Sequence, residues 1–167
     1  VKGVGDHSDL AAEAIMTTDP KKKELALEFT VGGKVCRMGG IAKGSGMIHP
    51  NMATMLVFVT TDCAISPDML RRALSDDVVT SFNMISVDGD TSTNDTVAIL
   101  ANGLADNEEI TSEGEGYTEF CTALHAVTSY LCRAIAADGE GATKLLECTV
   151  SGAKDRETAA ICAKSIV

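Results

Sequence analysis

The alternation of apolar and polar positions predicts most of the framework of this chain. Leu25, Leu27, Phe29 and Val31 alternate with Glu24, Ala26, Glu28 and Thr30, the period-two signature of a half-buried strand. Gly32-Gly33 predicts a hairpin turn, and Lys34 to Met38 the returning strand. Met55-Leu56-Val57-Phe58-Val59 is a continuous apolar run, read as a buried strand that closes at Thr61-Asp62. Ser66-Pro67-Asp68 opens a helix, with serine as cap, proline in the first position and an acid near the positive end of the dipole. Met69, Leu70, Ala73, Leu74, Val78 and Phe82 form its apolar face and carry it to about residue 82. Val97, Ile99 and Leu100 predict a strand ending at Asn102-Gly103. Phe120, Leu124, Val127, Leu131 and Ile135 recur at helical spacing and predict the longest helix, about residues 117 to 136. Leu146, Cys148 and Val150 alternate with Glu147, Thr149 and Ser151 as a further strand, and Asp155 caps a last helix carrying Ala159, Cys162 and Ile166. At the other end, Leu10 to Met16 reads as a short helical stretch, part of a helix entered before residue 1. It stops at Thr17-Thr18-Asp19-Pro20, because the residue before proline avoids helical angles. Strands alternating with helices make an α/β layered domain.

Between these elements lie polar stretches. Lys21 to Lys23 reads as a solvated basic turn, Asp88 to Asp95 as a structural turn network, and Glu108 to Gly116 as a solvated acidic loop. Asp138-Gly139-Glu140-Gly141-Ala142-Thr143-Lys144 breaks the long helix. No internal repeat, low-complexity tract or interdomain linker interrupts the pattern.

Composition narrows the class. At 167 residues with 45% hydrophobic and 23% charged positions, the chain carries one real core and one domain, not a disordered segment. A formal charge of −10 argues against nonspecific binding to nucleic acid or to anionic membranes. No apolar run is expected to span a membrane, and no signal peptide opens the chain; the missing initial methionine fits a processed product or a piece of something longer. The six cysteines form no CxxC pair, so they read as reduced, mostly buried thiols of a cytoplasmic protein. His7, His49 and His125 lack ligand-like spacing to them, and no metal site is expected.

The chemistry gathers at Gly39 to Leu56, GGIAKGSGMIHPNMATML. Its glycines suit a backbone that bends sharply or approaches another group closely. A phosphate-binding loop is excluded because Ser45, not lysine, follows Gly44; the dinucleotide fingerprint fails because His49 stands in place of its third glycine. The Asp88–Asp95 run is no calcium loop, since Gly89 is misplaced and no glutamate closes it. Composition alone reads the segment as an ordinary loop-to-strand junction. A second reading starts from Thr54, placed after Ala53 where a loop enters the buried strand. Cleavage of Ala53–Thr54 would free an α-amino group, and with a reference pKa of roughly 7.7 to 8.0 it could serve as base for the threonine's own hydroxyl. Lys43 could hold a substrate carboxylate and Glu140 a substrate ammonium.

AIMTTDPKK (15–23), GGIAKGSGMIHPNMATML (39–56), VDGDTSTNDTVAIL (87–100) and DGEGATK (138–144) stand in the order and approximate spacing of the bifunctional ornithine acetyltransferase family, the glutamate N-acetyltransferases of arginine biosynthesis. The chain resembles that family over nearly its whole length. The resemblance implies a layered α/β sandwich of the type shared with DmpA-like aminopeptidases, with an N-terminal nucleophile created by self-cleavage. Residues 1–53 would then be the end of an α subunit and 54–167 the start of a β subunit, together a single partial catalytic region. By motif, Thr54 resembles the nucleophile and Ala53 the residue before the cut. Thr17 (or the adjacent Thr18), Lys43, Thr54 and Glu140 resemble the substrate contacts. The implied cycle is ping-pong: Thr54 takes the acetyl group from N2-acetylornithine and glutamate accepts it. No cofactor is implied, acetyl-CoA is a co-substrate of some members, and a dimer of αβ units is the implied assembly.

The family's oxyanion Thr-Gly pair would lie before Val1, and its LVKTA and DPNWGR-like motifs beyond Val167. The 167 residues are therefore expected to be the middle of a longer enzyme and inactive alone. Two alternatives stay open: an N-terminal-threonine aminopeptidase of related fold, and a fragment that keeps the motifs without the activity.

Overall fold

A computed structural model of the chain describes residues 7–48, 55–90 and 94–167. Its centre is a four-stranded sheet in the order β1-β2-β3-β4, formed by β1 (Lys23–Val31), β2 (Lys34–Lys43), β3 (Leu56–Thr61) and β4 (Thr96–Ala101). β1 and β2 make the predicted hairpin. Gly32 and Gly33 take φ of 56° and 80°, a left-handed pair of the kind that matches the twist of the flanking strands. β2 pairs antiparallel with β3, and β3 pairs parallel with β4. That parallel pair requires a crossover, supplied by α2 (Pro67–Val78) and a short 3-10 turn at Phe82–Met84.

β2 runs five residues beyond the predicted Met38, so Gly39 and Gly40 are strand residues and not a bend. Gly40 lies opposite Leu25 on one side and Val59 on the other. The reason is packing: α3 (Glu115–Ala137) crosses the sheet so closely that a Cβ on Gly40 would stand 2.9 Å from both Val127 Cγ1 and Leu131 Cδ1. The predicted stripe of α3 is fully enclosed, with Phe120, Leu124, Val127, Leu131 and Ile135 all at 0% exposure. Each such side chain contributes about 1.5–3 kcal/mol by leaving water. Phe120 also meets Phe29 of β1 edge to face, with ring centroids 6.1 Å apart. By length and composition α3 is apolar enough to cross a membrane, unlike the sequence expectation, but its apolar stripe is committed to the sheet.

The opposite face of the sheet presents Ala26, Ile41, Phe58 and Leu100, with the small helix α1 (Ser8–Ala14) beside a groove lined by Ser8, Ala11, Ala26, Ile41, Phe58 and Thr60. α1 opens at Ser8, behind His7.

Three further sequence expectations change. α2 ends at Val78 because Thr80 and Ser81 turn back, both hydroxyls donating to the Asp77 carbonyl (3.1 and 2.9 Å); Phe82 still reaches the core from the 3-10 turn. Residues 146–150 form no strand. They pair with neither edge strand, β1 or β4, and Leu146 is 74% exposed, so the alternation has neither a ladder nor a core to face. Lys23 is not part of a solvated turn: it is 1% exposed and bonded to two aspartates. α4 (Arg156–Lys164) forms as expected, with the Asp155 carboxylate accepting from Thr158 N at 2.8 Å. Cys36, Cys63 and Cys132 are buried, Cys121 and Cys148 are half-buried, and Cys162 is exposed; all six are free thiols.

Candidate functional site

Three segments distant in sequence meet at the end of β2. The loop after α1 brings Thr17 and Thr18, the end of β2 brings Lys43 to Met47, and the break after α3 brings Glu140. With Asp88 and Asp90 they line one cavity of about 310 Å³. Thr17, Lys43 and Glu140 are therefore brought together in one cavity. Ala53 and Thr54 lie outside the described residues, as does His49.

Lys43 is the cation of the site. It is 6% exposed, and its Nζ donates to Thr17 Oγ1 at 3.4 Å. Among the described residues no carboxylate lies within ion-pair distance of it. A buried ammonium without a close counter-ion is costly unless an anion completes it, so a bound carboxylate suits this position. The neighbouring hydroxyls are ordered too: Thr18 Oγ1 and Ser45 Oγ are 2.6 Å apart, and Ser45 is buried.

Glu140 supplies the opposite charge. Its side chain reaches over Gly46, where a Cβ would stand 3.0 Å from Glu140 Oε2 and 3.7 Å from Asp88 Oδ2. Gly46 thus lets the Glu140 carboxylate lie close over the backbone, where a side chain would push it aside. The Glu140 amide donates to the Ser45 carbonyl at 2.5 Å, which ties the two segments at the cavity floor.

Asp88 shapes the loop that follows. Its carboxylate accepts from the amides of Met47, Ile48 (2.9 Å) and Asp90 (3.2 Å). Burial pushes its pKa up, but the amides of Met47, Asp90 and Ile48 outweigh this and hold it below the usual carboxylate value. Met47, held there, takes φ of 56°, a left-handed conformation uncommon for a side-chain-bearing residue. The sequence had placed Asp88 in a turn network; its task in binding the glycine-rich loop needed the fold to be seen.

Asp95 does the same at the entrance to β3. Its Oδ1 accepts from Met55 N at 2.9 Å, and burial raises its pKa despite that bond and the Lys43 charge. A separate Asp77–His125–Ser129 chain, with His125 Nδ1 2.7 Å from Asp77 and Nε2 3.2 Å from Ser129, joins α2 to α3. It lies away from the cavity, on a half-exposed helix surface, and serves as a clamp.

The fold and cavity define a mixed α/β protein with a small polar site offering a buried cation and a carboxylate, a pattern for binding a zwitterionic amino-acid-like molecule. More specifically, the chain belongs to the ArgJ family, whose model matches residues 2–167. It is 53% identical over 156 residues to the arginine biosynthesis bifunctional protein ArgJ of Lactococcus lactis subsp. lactis (strain IL1403), covering 93% of this chain and 39% of that protein. It is also 53% identical over 165 residues to the protein of that name from Bacillus subtilis (strain 168), covering 99% and 40%. A crystal structure of arginine biosynthesis bifunctional protein ArgJ from Bacillus halodurans matches with a TM-score of 0.64 at 49% identity, over 66% of this chain and 52% of that one. The chain spans about two-fifths of the length of these curated relatives.

Proposed function

We propose that this chain is part of an enzyme that moves an acetyl group from N2-acetylornithine to glutamate. The observation that carries this reading is the pairing, in one cavity, of buried Lys43 with Glu140. Both substrates are amino acids: the ammonium suits their α-carboxylate, and the carboxylate suits an ammonium. Membership of a family whose curated relatives are named for arginine biosynthesis supports the same substrates.

The chemistry follows from Thr54 as the nucleophile. Cleavage of Ala53–Thr54 leaves the threonine with a free amine, which takes the hydroxyl proton as Oγ attacks the acetyl carbonyl. The amide C–N bond breaks, the proton passes to the departing ornithine amine, and an acetyl ester remains on Thr54. The amine of glutamate then attacks that ester, forming acetylglutamate and restoring the hydroxyl. Residues 1–53 end the α subunit in this reading and 54–167 begin the β subunit, in a cytoplasmic dimer of αβ units. The apolar outer face of the sheet supports a second layer, contributed by the remaining length of the enzyme, which would complete a sandwich of the DmpA-like type.

The full-length protein incubated with N2-acetylornithine and glutamate should yield acetylglutamate, and its intact mass should show two chains cut before Thr54. Thr54→Ala should abolish both. A single uncut chain, peptide hydrolysis without acetyl transfer, or transfer surviving in Thr54→Ala would each refute the assignment.

A further inference from the structure

Lys23 is the least exposed charged residue among the described residues, at 1%, and it stands next to the cavity without entering it. Its Nζ donates to Asp19 Oδ1 at 2.8 Å, to Asp138 Oδ2 at 2.7 Å and to the Lys21 carbonyl at 3.2 Å. Both carboxylates are buried as well and accept further bonds from the backbone. Asp19 takes the amides of Gly44 (2.6 Å) and Thr17 (3.3 Å); Asp138 takes the amide of Lys21 (3.0 Å). Two carboxylates facing one ammonium would leave an uncompensated charge, and the three amides offset it.

The bonds fall at telling places. Thr17, Lys43 and Glu140 are each held by this cluster or stand within two positions of a residue it holds. Thr17 is held through its own amide. Lys43 immediately precedes Gly44, and Glu140 lies two residues after Asp138. Lys43 is the last residue of β2, opposite Leu56, but Thr17 and Glu140 lie outside any regular element, in the loop after α1 and past the end of α3 at Ala137. Besides this cluster, their segments are tied to the end of β2 by the Thr18–Ser45 and Glu140–Ser45 bonds. We infer that the buried Asp19–Lys23–Asp138 cluster is a positioning device, which sets Thr17, Lys43 and Glu140 in register for substrate without touching it.

A charged cluster placed here only for stability would need no tie to all three segments, and well-packed apolar residues often serve stability as well as a buried pair does. What an apolar replacement could not do is accept the amides of Thr17, Lys21 and Gly44 together. The inference rests on the proposed acetyl transfer.

The test uses the full-length enzyme bearing Asp138→Asn, which keeps shape and removes the charge. Displacement of substrate-binding groups by a fraction of an ångström to one ångström costs on the order of 10- to 100-fold in rate efficiency. The expected result is a rise of about tenfold or more in KM for both N2-acetylornithine and glutamate, with cleavage before Thr54 still complete by intact mass. Lys23→Arg keeps the charge but spreads the two carboxylates apart. It should show the same KM rise with little change in melting temperature, and it carries the test if Asp138→Asn fails to fold. Unchanged KM in a folded variant, even with a lowered melting temperature, would overturn the positioning role. Absence of acetyl transfer in the wild-type enzyme would instead refute the function on which the inference rests.

Discussion

Gly40 offers the sharpest check of how sheet and helix are spaced. Replacing it by alanine puts a methyl group 2.9 Å from Val127 Cγ1, 2.9 Å from Leu131 Cδ1 and 3.5 Å from Val59 Cγ2. All three neighbours are at 0% exposure, so none can swing into solvent. The end of Leu131 can rotate, whereas Val127 is β-branched and has little rotamer freedom on a helix. Overpacking of this kind costs about 1–3 kcal/mol. Alanine also recovers roughly 0.5–1 kcal/mol, because glycine loses more backbone entropy in a strand. The net expectation is a loss of about 1–2 kcal/mol, seen as a melting temperature lower by a few degrees in the full-length enzyme. A double-mutant cycle makes the cause specific. Val127→Ala alone opens a cavity, but in that background Gly40→Ala should cost about 1 kcal/mol less than it does in the wild type. Because β2 leads into Lys43 and α3 leads into Asp138 and Glu140, pushing them apart should also raise KM. A Gly40→Ala enzyme as stable as wild type, or a cycle with no coupling, would refute the close approach and the reason given for this glycine.

Acid should act on Asp19. Burial pushes its carboxyl upward, but the bonds from Lys23, Gly44 and Thr17 more than compensate, so its pKa is lowered on folding. Its contribution is therefore present above the unfolded value of about 3.9 and is lost as pH falls through the lower folded value. Asp19→Asn should cost about 3 kcal/mol near neutrality and flatten the fall in melting temperature below about pH 4; an unchanged acid limb would contradict this. The buried thiols should be inert: burial pushes Cys63 up to about 12, helped by nearby Cys36, and raises Cys36 and Cys132 as well. Iodoacetamide at pH 8 should label none of these three until the protein is denatured, and peptide mapping checks it.

Local chemistry made much of the frame legible. The alternation at Leu25–Val31, the Gly-Gly hairpin, the Ser66-Pro67-Asp68 cap and the spacing of Phe120 to Ile135 all appear as read, because each depends on neighbours within a few residues. Lys43 and Glu140 were legible through their motifs, and the structure brings them to one cavity with Thr17. Other features were hidden for physical reasons. Asp19, Lys23 and Asp138 look like surface residues of a turn and a helix break, and nothing local says that residues 115 positions apart share a proton-donating contact. Asp88 looked like one acid among several in a polar run, and only the return of 87–88 beside 47–48 makes it the acceptor for that loop.

The limits of pattern show equally in the elements that changed. Residues 146–150 have a strand's alternation but pair with no strand, and β2 continues through Gly39 and Gly40, where the glycines suited either a bend or a close approach and Gly40 makes the close approach. By itself, then, the sequence determined which segments could be helix or strand and which side chains had suitable chemistry, since propensity, capping and periodicity act over one or two turns. Tertiary structure decided which edges found partners, why Gly40 must lack a side chain, and how three segments come to share one buried charge cluster. Those outcomes depend on contacts between residues far apart in the chain, whose cost or gain exists only once the sheet and α3 have closed on each other.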